Sequence, residues 1–244
     1  MTWAAGYREL APPPSLRQAV ECLWVRVVPE TGAPQALVLP DACSDLMWQQ
    51  DRGAVVAGPD TGPNPSLLAP GSVILGARFL PGAGGPALGA PLSELRNLRV
   101  DLVDLHRDLA RWLPGGLAPQ EALERIERAA AGLISGGPPD PLVQQGARLL
   151  NEPGATVESL VRLLDMSERQ LRRRFQAAVG YGPKTLHGVL RFRRFLQRLD
   201  AVGGGALAEL ALDFGYADQA HLTRETTRLA GLPPAALARA RAAL

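Results

Sequence analysis

Arg169, Arg172, Arg173 and Gln176 recur at i, i+3, i+4 and i+7 in the C-terminal third of the chain, a spacing that sets all four on one face of a helix. Such a face suits recognition rather than bond-making. A guanidinium donates two hydrogen bonds to O6 and N7 of guanine, and a carboxamide pairs with N6 and N7 of adenine. Leu171, Phe175 and Ala178 fall on the opposite stripe, the one that would be buried. A second polar set, Gln219, His221, Thr223 and Arg224, stands at the start of another helical pattern. The competing reading of the first set is a solvated cationic face; of His221 alone it is a surface or helix-capping histidine. Arg174 lies on the flank of the first set, placed for phosphate or solvent instead of base edges.

Other chemistry has less support. No Ser-His-Asp, Cys-His or phosphate-cradling glycine motif is present. His106 is the only histidine before His187, which argues against a metal-dependent barrel enzyme, and no metal or cofactor is expected. Cys22 and Cys43 are too few for a disulfide framework and lack the paired spacing of a zinc site, so both are read as reduced thiols. Nothing cationic adjoins Cys43 in sequence to favour its thiolate.

The elements that must hold the two polar sets are legible from their start and stop signals. Thr156 caps a helix carrying Val157, Leu160, Val161 and Leu164 on one face. Ser167 opens the next, with Gln170 three residues on completing a capping box, and Gly180 ends it. Pro183 begins a long helix to about Leu199, and Gly203, Gly204 and Gly205 break the chain. A short helix then spans Ala206 to Phe214; Gly215 turns, Asp218 caps, and the last helix reaches Leu229 before Gly231-Leu-Pro-Pro stops it. Two short helices joined by a tight turn, the second presenting polar side chains, have the geometry that enters a major groove. The connecting helix, about 25 Å long at ~1.5 Å per residue, would hold two such units roughly one DNA turn apart. Arg191, Arg193, Arg194 and Arg198 on it are candidates for phosphate, with a solvated helix surface as the alternative.

The remainder of the chain differs in pattern. Short β-branched or aromatic runs cut by Pro and Gly cover Val20 to Val28, Gln35 to Leu39, Asp45 to Gln49, Ala54 to Ala57 and Ser72 to Phe79, which predicts a small antiparallel barrel or sandwich. From Leu92 to Ile134 the period becomes helical. One stripe holds Leu102, Leu105, Leu109, Trp112 and Leu113, and another Leu123, Ile126, Ala130 and Leu133. These stripes are read as closing helices that either pack the core or pair between subunits. Trp24, Cys43, Trp48 and Phe79 are candidates for lining an effector pocket, against the alternative that strand aromatics are core. The predicted class is α+β: residues 1–134 a sensing or dimerising domain, 135–140 a Gly/Pro linker, and 141–244 an all-α DNA-binding domain with two helix-turn-helix units.

Composition agrees with two packed domains: hydrophobic residues make 46% and charged residues 20% of 244. Residues 1–139 carry 11 basic against 14 acidic side chains, a net of −3, and residues 140–244 carry 15 against 10, a net of +5. The basic half is the expected polyanion binder. The N-terminal residues lack a leader pattern and no segment approaches a membrane span, so no membrane partner and a cytoplasmic location are expected.

The residues also resemble a known family. Ala208 to Glu225 (AELALDFGYADQAHLTRE) followed by Gly231-Leu-Pro-Pro is similar to the second helix-turn-helix signature of AraC/XylS-type regulators, and Met166 to Phe175 (MSERQLRRRF) with Gly180-Tyr-Gly-Pro resembles the first. The resemblance covers about 100 residues and implies base-reading sites at Arg169, Arg172 and Arg173 and at Gln219, His221 and Arg224. One departure is Thr226, where the family usually carries an aromatic residue; it implies a less firmly packed second unit. The segment Leu39 to Trp48 (LPDACSDLMW) looks like a poorly characterised domain found ahead of such modules. What the resemblance implies is a transcriptional regulator acting on double-stranded DNA and RNA polymerase, controlled by a small-molecule effector or by homodimer formation. The alternative is an enzyme domain fused to a DNA-binding domain.

Overall fold

The computed structural model describes residues 4–31, 35–202 and 207–242. Eight strands and two short helices alternate through the first hundred residues: β1 (Gly6–Leu10), β2 (Val20–Val27), β3 (Gln35–Val38), β4 (Ser44–Gln49), β5 (Gly53–Ala57), β6 (Asn64–Leu67), β7 (Val73–Phe79), α1 (Gly84–Leu88), α2 (Leu92–Leu95) and β8 (Arg99–Asp101). Six of the strands form one antiparallel sheet in the order β1-β2-β7-β4-β5-β8, and β3 pairs with β6 in a second. The main sheet keeps β1 and β8 as edges, so of the two expected forms the sandwich fits.

Alternation along the strands sorts side chains onto the two faces. Leu46 and Trp48 of β4 and Leu75, Ala77 and Phe79 of β7 face a core completed by α4 (Pro119–Gly136) through Leu123, Ile126, Ala130 and Leu133. Trp48 is fully buried there and its indole donates to the carbonyl of Pro114 at 2.7 Å. The other face carries Cys22, Trp24 and Ile74, which form a separate small cluster with Met47 and Leu68. Trp24 lies across Gly76, where an added Cβ would come within 2.9 Å of the indole. Only a glycine leaves room for the ring at this point.

Two expectations need correction in this half. The stripe from Leu102 to Leu113 is not one helix: a 3-10 turn (Leu102–Asp104) precedes α3 (Arg107–Trp112). Both this stripe and that of α4 pack into the first-domain core, with Leu102, Leu113, Ile126 and Ala130 wholly buried. The buried members of these stripes therefore serve as core.

The expected linker 135–140 is shortened to the irregular residues 137–140 between two helices. α4 extends to Gly136, and Asp140 caps α5 (Pro141–Leu150) by accepting from the amides of Leu142 and Val143 at 3.0 and 3.1 Å. Beyond it follow α6 (Val157–Leu164), α7 (Glu168–Val179), α8 (Pro183–Val202), α9 (Leu207–Asp213), α10 (Gln219–Ala230) and α11 (Pro234–Ala242). Their core is built from Phe175, Phe192, Phe195, Leu222 and Leu229, and Leu39 and Ala42 of the first half pack against it. The predicted Gly203–Gly205 break and the helix start at Ala206 lie outside the described residues. α11 is an addition: Gly231-Leu-Pro-Pro ends α10, yet its second proline also begins the next helix, since a first-turn position does not use an N–H. No helix among the described residues is long and apolar enough to cross a membrane.

Candidate nucleic-acid interface

The first candidate recognition helix, α7, is capped by Ser167 at its start and by Gly180 at its end. Ser167 Oγ accepts from the amide of Gln170 at 3.3 Å and Gln170 Oε1 accepts from the amide of Ser167 at 3.1 Å, so two otherwise orphaned N-terminal donors of α7 are satisfied reciprocally. Leu171, Phe175, Ala178 and Val179 are buried, which commits the helix to one rotational setting. Arg169, Arg172 and Arg173 are then exposed and Gln176 is half-buried. Among the described residues none of these three arginines joins an ion pair, so each guanidinium keeps its full set of donors.

The second unit is built differently. Asp218 caps α10 by accepting from the amide of His221 at 2.6 Å, and His221 Nδ1 accepts from the amide of Ala217 at 3.2 Å. The ring also packs edge-on against Tyr216, with centroids 5.4 Å apart. His221 therefore spends one ring nitrogen on the cap and, in this tautomer, has Nε2–H left to donate outward. Thr223 Oγ1 donates back to the carbonyl of Gln219 at 2.9 Å, while the Gln219 and Arg224 side chains are exposed. Thr226 is fully buried and its hydroxyl finds no partner among the described residues.

All but one of the arginines expected at phosphates are engaged within the chain. Arg174 Nε donates to Asp140 at 2.5 Å, tying α7 to the cap of α5. Arg191 donates to the carbonyl of Gly215 at 2.9 Å and stacks over the Tyr216 ring at 4.3 Å, bracing the turn of the second unit from α8. Arg194 donates to the backbone carbonyl and side chain of Asn151. Its burial, with Arg191 nearby, draws its pKa below the ordinary arginine value. Arg193 is paired with Glu21 of β2. Their place on the flanking sides of the helices explains the difference: carbonyls and carboxylates at helix ends and turns lie within reach of these cationic donors. Arg198 remains exposed.

The four residues expected to line one effector pocket do not meet. Trp48 and Phe79 belong to the helix-facing core, whereas Trp24 lies on the opposite face of the sheet. The buried Cys43 thiol lies 3.4 Å from Glu21 Oε2, and burial pushes its pKa well up. Of the four, Trp24 alone borders a cavity of about 360 Å³ between the main sheet and the β3–β6 pair. Its walls include charged side chains that the sequence reading passed over, Arg26, Asp45, Arg78 and Arg99. Arg78 sits within 3.5 Å of Asp45 and 3.2 Å of Asp41 and Glu9. Burial, outweighing Arg78, raises the Asp45 carboxyl to about 6. The available signal was strand alternation, because Arg26 stands two residues from Trp24, and Asp45 two from Met47.

Segment 58–63 links this half to both helical units. Arg99 holds Asp60 with two bonds of 3.1 and 2.5 Å, and Asn97 Oδ1 accepts from the amide of Thr61 at 2.8 Å. Pro59 abuts Gly180 at the end of α7, while Pro63 abuts Gly231 at the end of α10. Arg228 of α10 donates to the carbonyl of Thr61 at 3.5 Å. One six-residue stretch thus touches the C-terminal end of each candidate recognition helix.

Residues 160–240 match a family described as a helix-turn-helix domain, and residues 8–101 match one described as a domain of unknown function (DUF6597). No curated protein matches the chain. Among solved structures, the chain is similar to ToxT from Vibrio cholerae O395, with a TM-score of 0.47, 7% identity, and 89% of this chain and 97% of that one covered. It is also similar to unsaturated fatty acid-bound ToxT from Vibrio cholerae strain SCE256, with a TM-score of 0.45, 11% identity, and 88% and 94% covered. Two helix pairs, each with a side-chain-capped second helix presenting polar side chains above a buried stripe, make up the C-terminal half, a helix-turn-helix DNA-binding module, and the chain is a transcription regulator. Residues 160–240 carry an AraC-type helix-turn-helix domain, and residues 8–101 a DUF6597 domain.

Proposed function

We propose that the chain is a sequence-specific regulator whose two units read successive major grooves on one face of DNA. Arg169, Arg172, Arg173 and Gln176 contact bases at the first, and Gln219, His221, Thr223 and Arg224 at the second. The observation that carries this reading is the set of three exposed, unpaired arginines on α7, above a stripe whose burial leaves the helix no other setting. α8, with 20 residues, is about 30 Å long at ~1.5 Å per residue and matches the separation of successive grooves. Residues 4–134 act as the regulatory domain, not a catalytic one. The buried nucleophile Cys43 is held as a thiol beside an acidic partner, an arrangement that opposes thiolate chemistry. Regulation passes through a small-molecule effector or a second subunit to DNA binding or to RNA polymerase, and segment 58–63 is the route by which the first domain biases both units. Selection from a random-sequence DNA pool by the full chain is expected to enrich two motifs centred about one helical turn apart. Enrichment of a single motif would remove the second unit from base reading, and recovery without any enriched motif would overturn the proposal.

A further inference from the structure

We infer that the cavity between the main sheet and the β3–β6 pair binds a small organic anion, its apolar body on Trp24 and its charged group at Arg26. This rests on the reading of the first domain as regulatory and adds a site and a ligand chemistry to it. Four cations border the cavity, Arg26, Arg52, Arg78 and Arg99. Three are neutralised by the protein itself: Arg52 by Asp101 at 2.8 Å, Arg78 by Asp45 and its acidic neighbours, and Arg99 by Asp60 at 2.5 Å. Arg26, half-buried, has no ion pair or hydrogen bond among the described residues. A half-buried guanidinium with no acceptor of its own keeps its donors available to an anion entering the cavity.

The neighbouring surface has the opposite character. Trp24 packs against Gly76, with Met47 and Ile74 beside it and Tyr7 at 6.0 Å between ring centroids. Its indole N–H is already committed to Asp45 at 2.7 Å, so the part of this buried ring that lines the cavity offers apolar contact and no further donor. The register puts Arg26 opposite Ile74, and Ile74 opposite Gln49. An arginine and a carboxamide thus flank the apolar floor on one side, a pairing suited to a carboxylate. The Arg78–Asp45 group bounds the other side and repels a second anionic group through Asp41 and Glu9. The cavity therefore favours a monoanion with one apolar end. Arg99, on its wall, is also the residue that grips Asp60 in segment 58–63, so an occupant adjoins the contact to both helical units.

The test uses the full chain and two probe pairs, indole-3-acetate with indole-3-acetamide and octanoate with octanamide, read by calorimetric titration and thermal shift. At least one carboxylate is expected to bind and raise the melting temperature, with its amide at least tenfold weaker. Arg26→Gln is expected to abolish the difference between acid and amide, and Arg26→Lys to retain part of it. Circular dichroism of both variants checks that the sheet is intact; should Arg26→Gln fail to fold, Arg26→Lys and the acid–amide comparison on the unaltered chain still decide. Equal binding of acid and amide, no binding of any probe, or undiminished carboxylate binding by folded Arg26→Gln overturns the inference. DNA selection on the same preparation separates the two levels. Enrichment of DNA motifs without probe binding removes the ligand site and leaves the regulator, whereas probe binding without enrichment does the reverse.

Discussion

At Thr226 the firmness of the second helix-turn-helix unit can be tested with a single side chain. The AraC/XylS-type pattern places an aromatic residue here; this chain places a β-branched hydroxyl in a fully buried position without a hydrogen-bond partner. An unsatisfied buried hydroxyl costs about 1–3 kcal/mol, and Thr226→Val removes it at nearly constant volume. The variant is expected to unfold at higher denaturant, gaining about 1 kcal/mol. Unchanged or lower stability would mean that the hydroxyl is hydrated or bonded in solution. The neighbouring His221 illustrates the limit of reading residue types alone. Its place in a polar set suggested base contact, but whether one of its nitrogens closes a cap depends on the path of the turn at Ala217, which a list of residues does not contain. The same holds for Arg191 and Arg194, whose acceptors are carbonyls more than twenty residues away in sequence.

At the scale of elements, legibility followed the strength of local chemistry. The boundaries of α6, α7 and α10 were readable because Thr156, Ser167 and Asp218 satisfy orphan amides through their own side chains, which is a local event. The five strands expected from β-branched runs are all present, but β1, β6 and β8 were not foreseen. GYREL, NPSL and RVD have no strong strand pattern of their own and are extended because a neighbouring strand supplies hydrogen bonds. The cavity was missed for a related reason: which face of β2 meets the helices is decided by the closing element, and Trp24 and Trp48 turned to opposite sides. Gly180 joins local and tertiary demands. It caps α7 with φ +92, and an added Cβ would approach Pro59 Cγ to 2.5 Å. Gly180→Ala is therefore expected to destabilise by about 2 kcal/mol or more, combining left-handed backbone strain with overpacking. A loss under half of that in a denaturant titration would show that segment 58–63 yields easily and does not hold the unit.

For the whole molecule, the division of charge and of hydrophobic cores favours a C-terminal half that folds alone. Residues 140–244 contain nearly all of the second core, lacking only the contributions of Leu39 and Ala42. A fragment spanning them is expected to show helical circular dichroism and a cooperative melt, at lower temperature than the same unit in the full chain because the contacts of Pro59, Pro63 and Glu21 are gone. A fragment without cooperative melting would mean that the two halves form one folding unit.

The central claim is that α7 reads bases, and Arg173→Ala tests it most directly. Affinity for a selected site and for a scrambled duplex should be measured at several salt concentrations. The variant is expected to lose about 1–3 kcal/mol on the selected site with a much smaller loss on the scrambled one, so that specificity falls with affinity. Equal losses on both duplexes with their ratio intact, and a salt dependence shallower by about one ion, would make Arg173 a phosphate anchor and contradict the account.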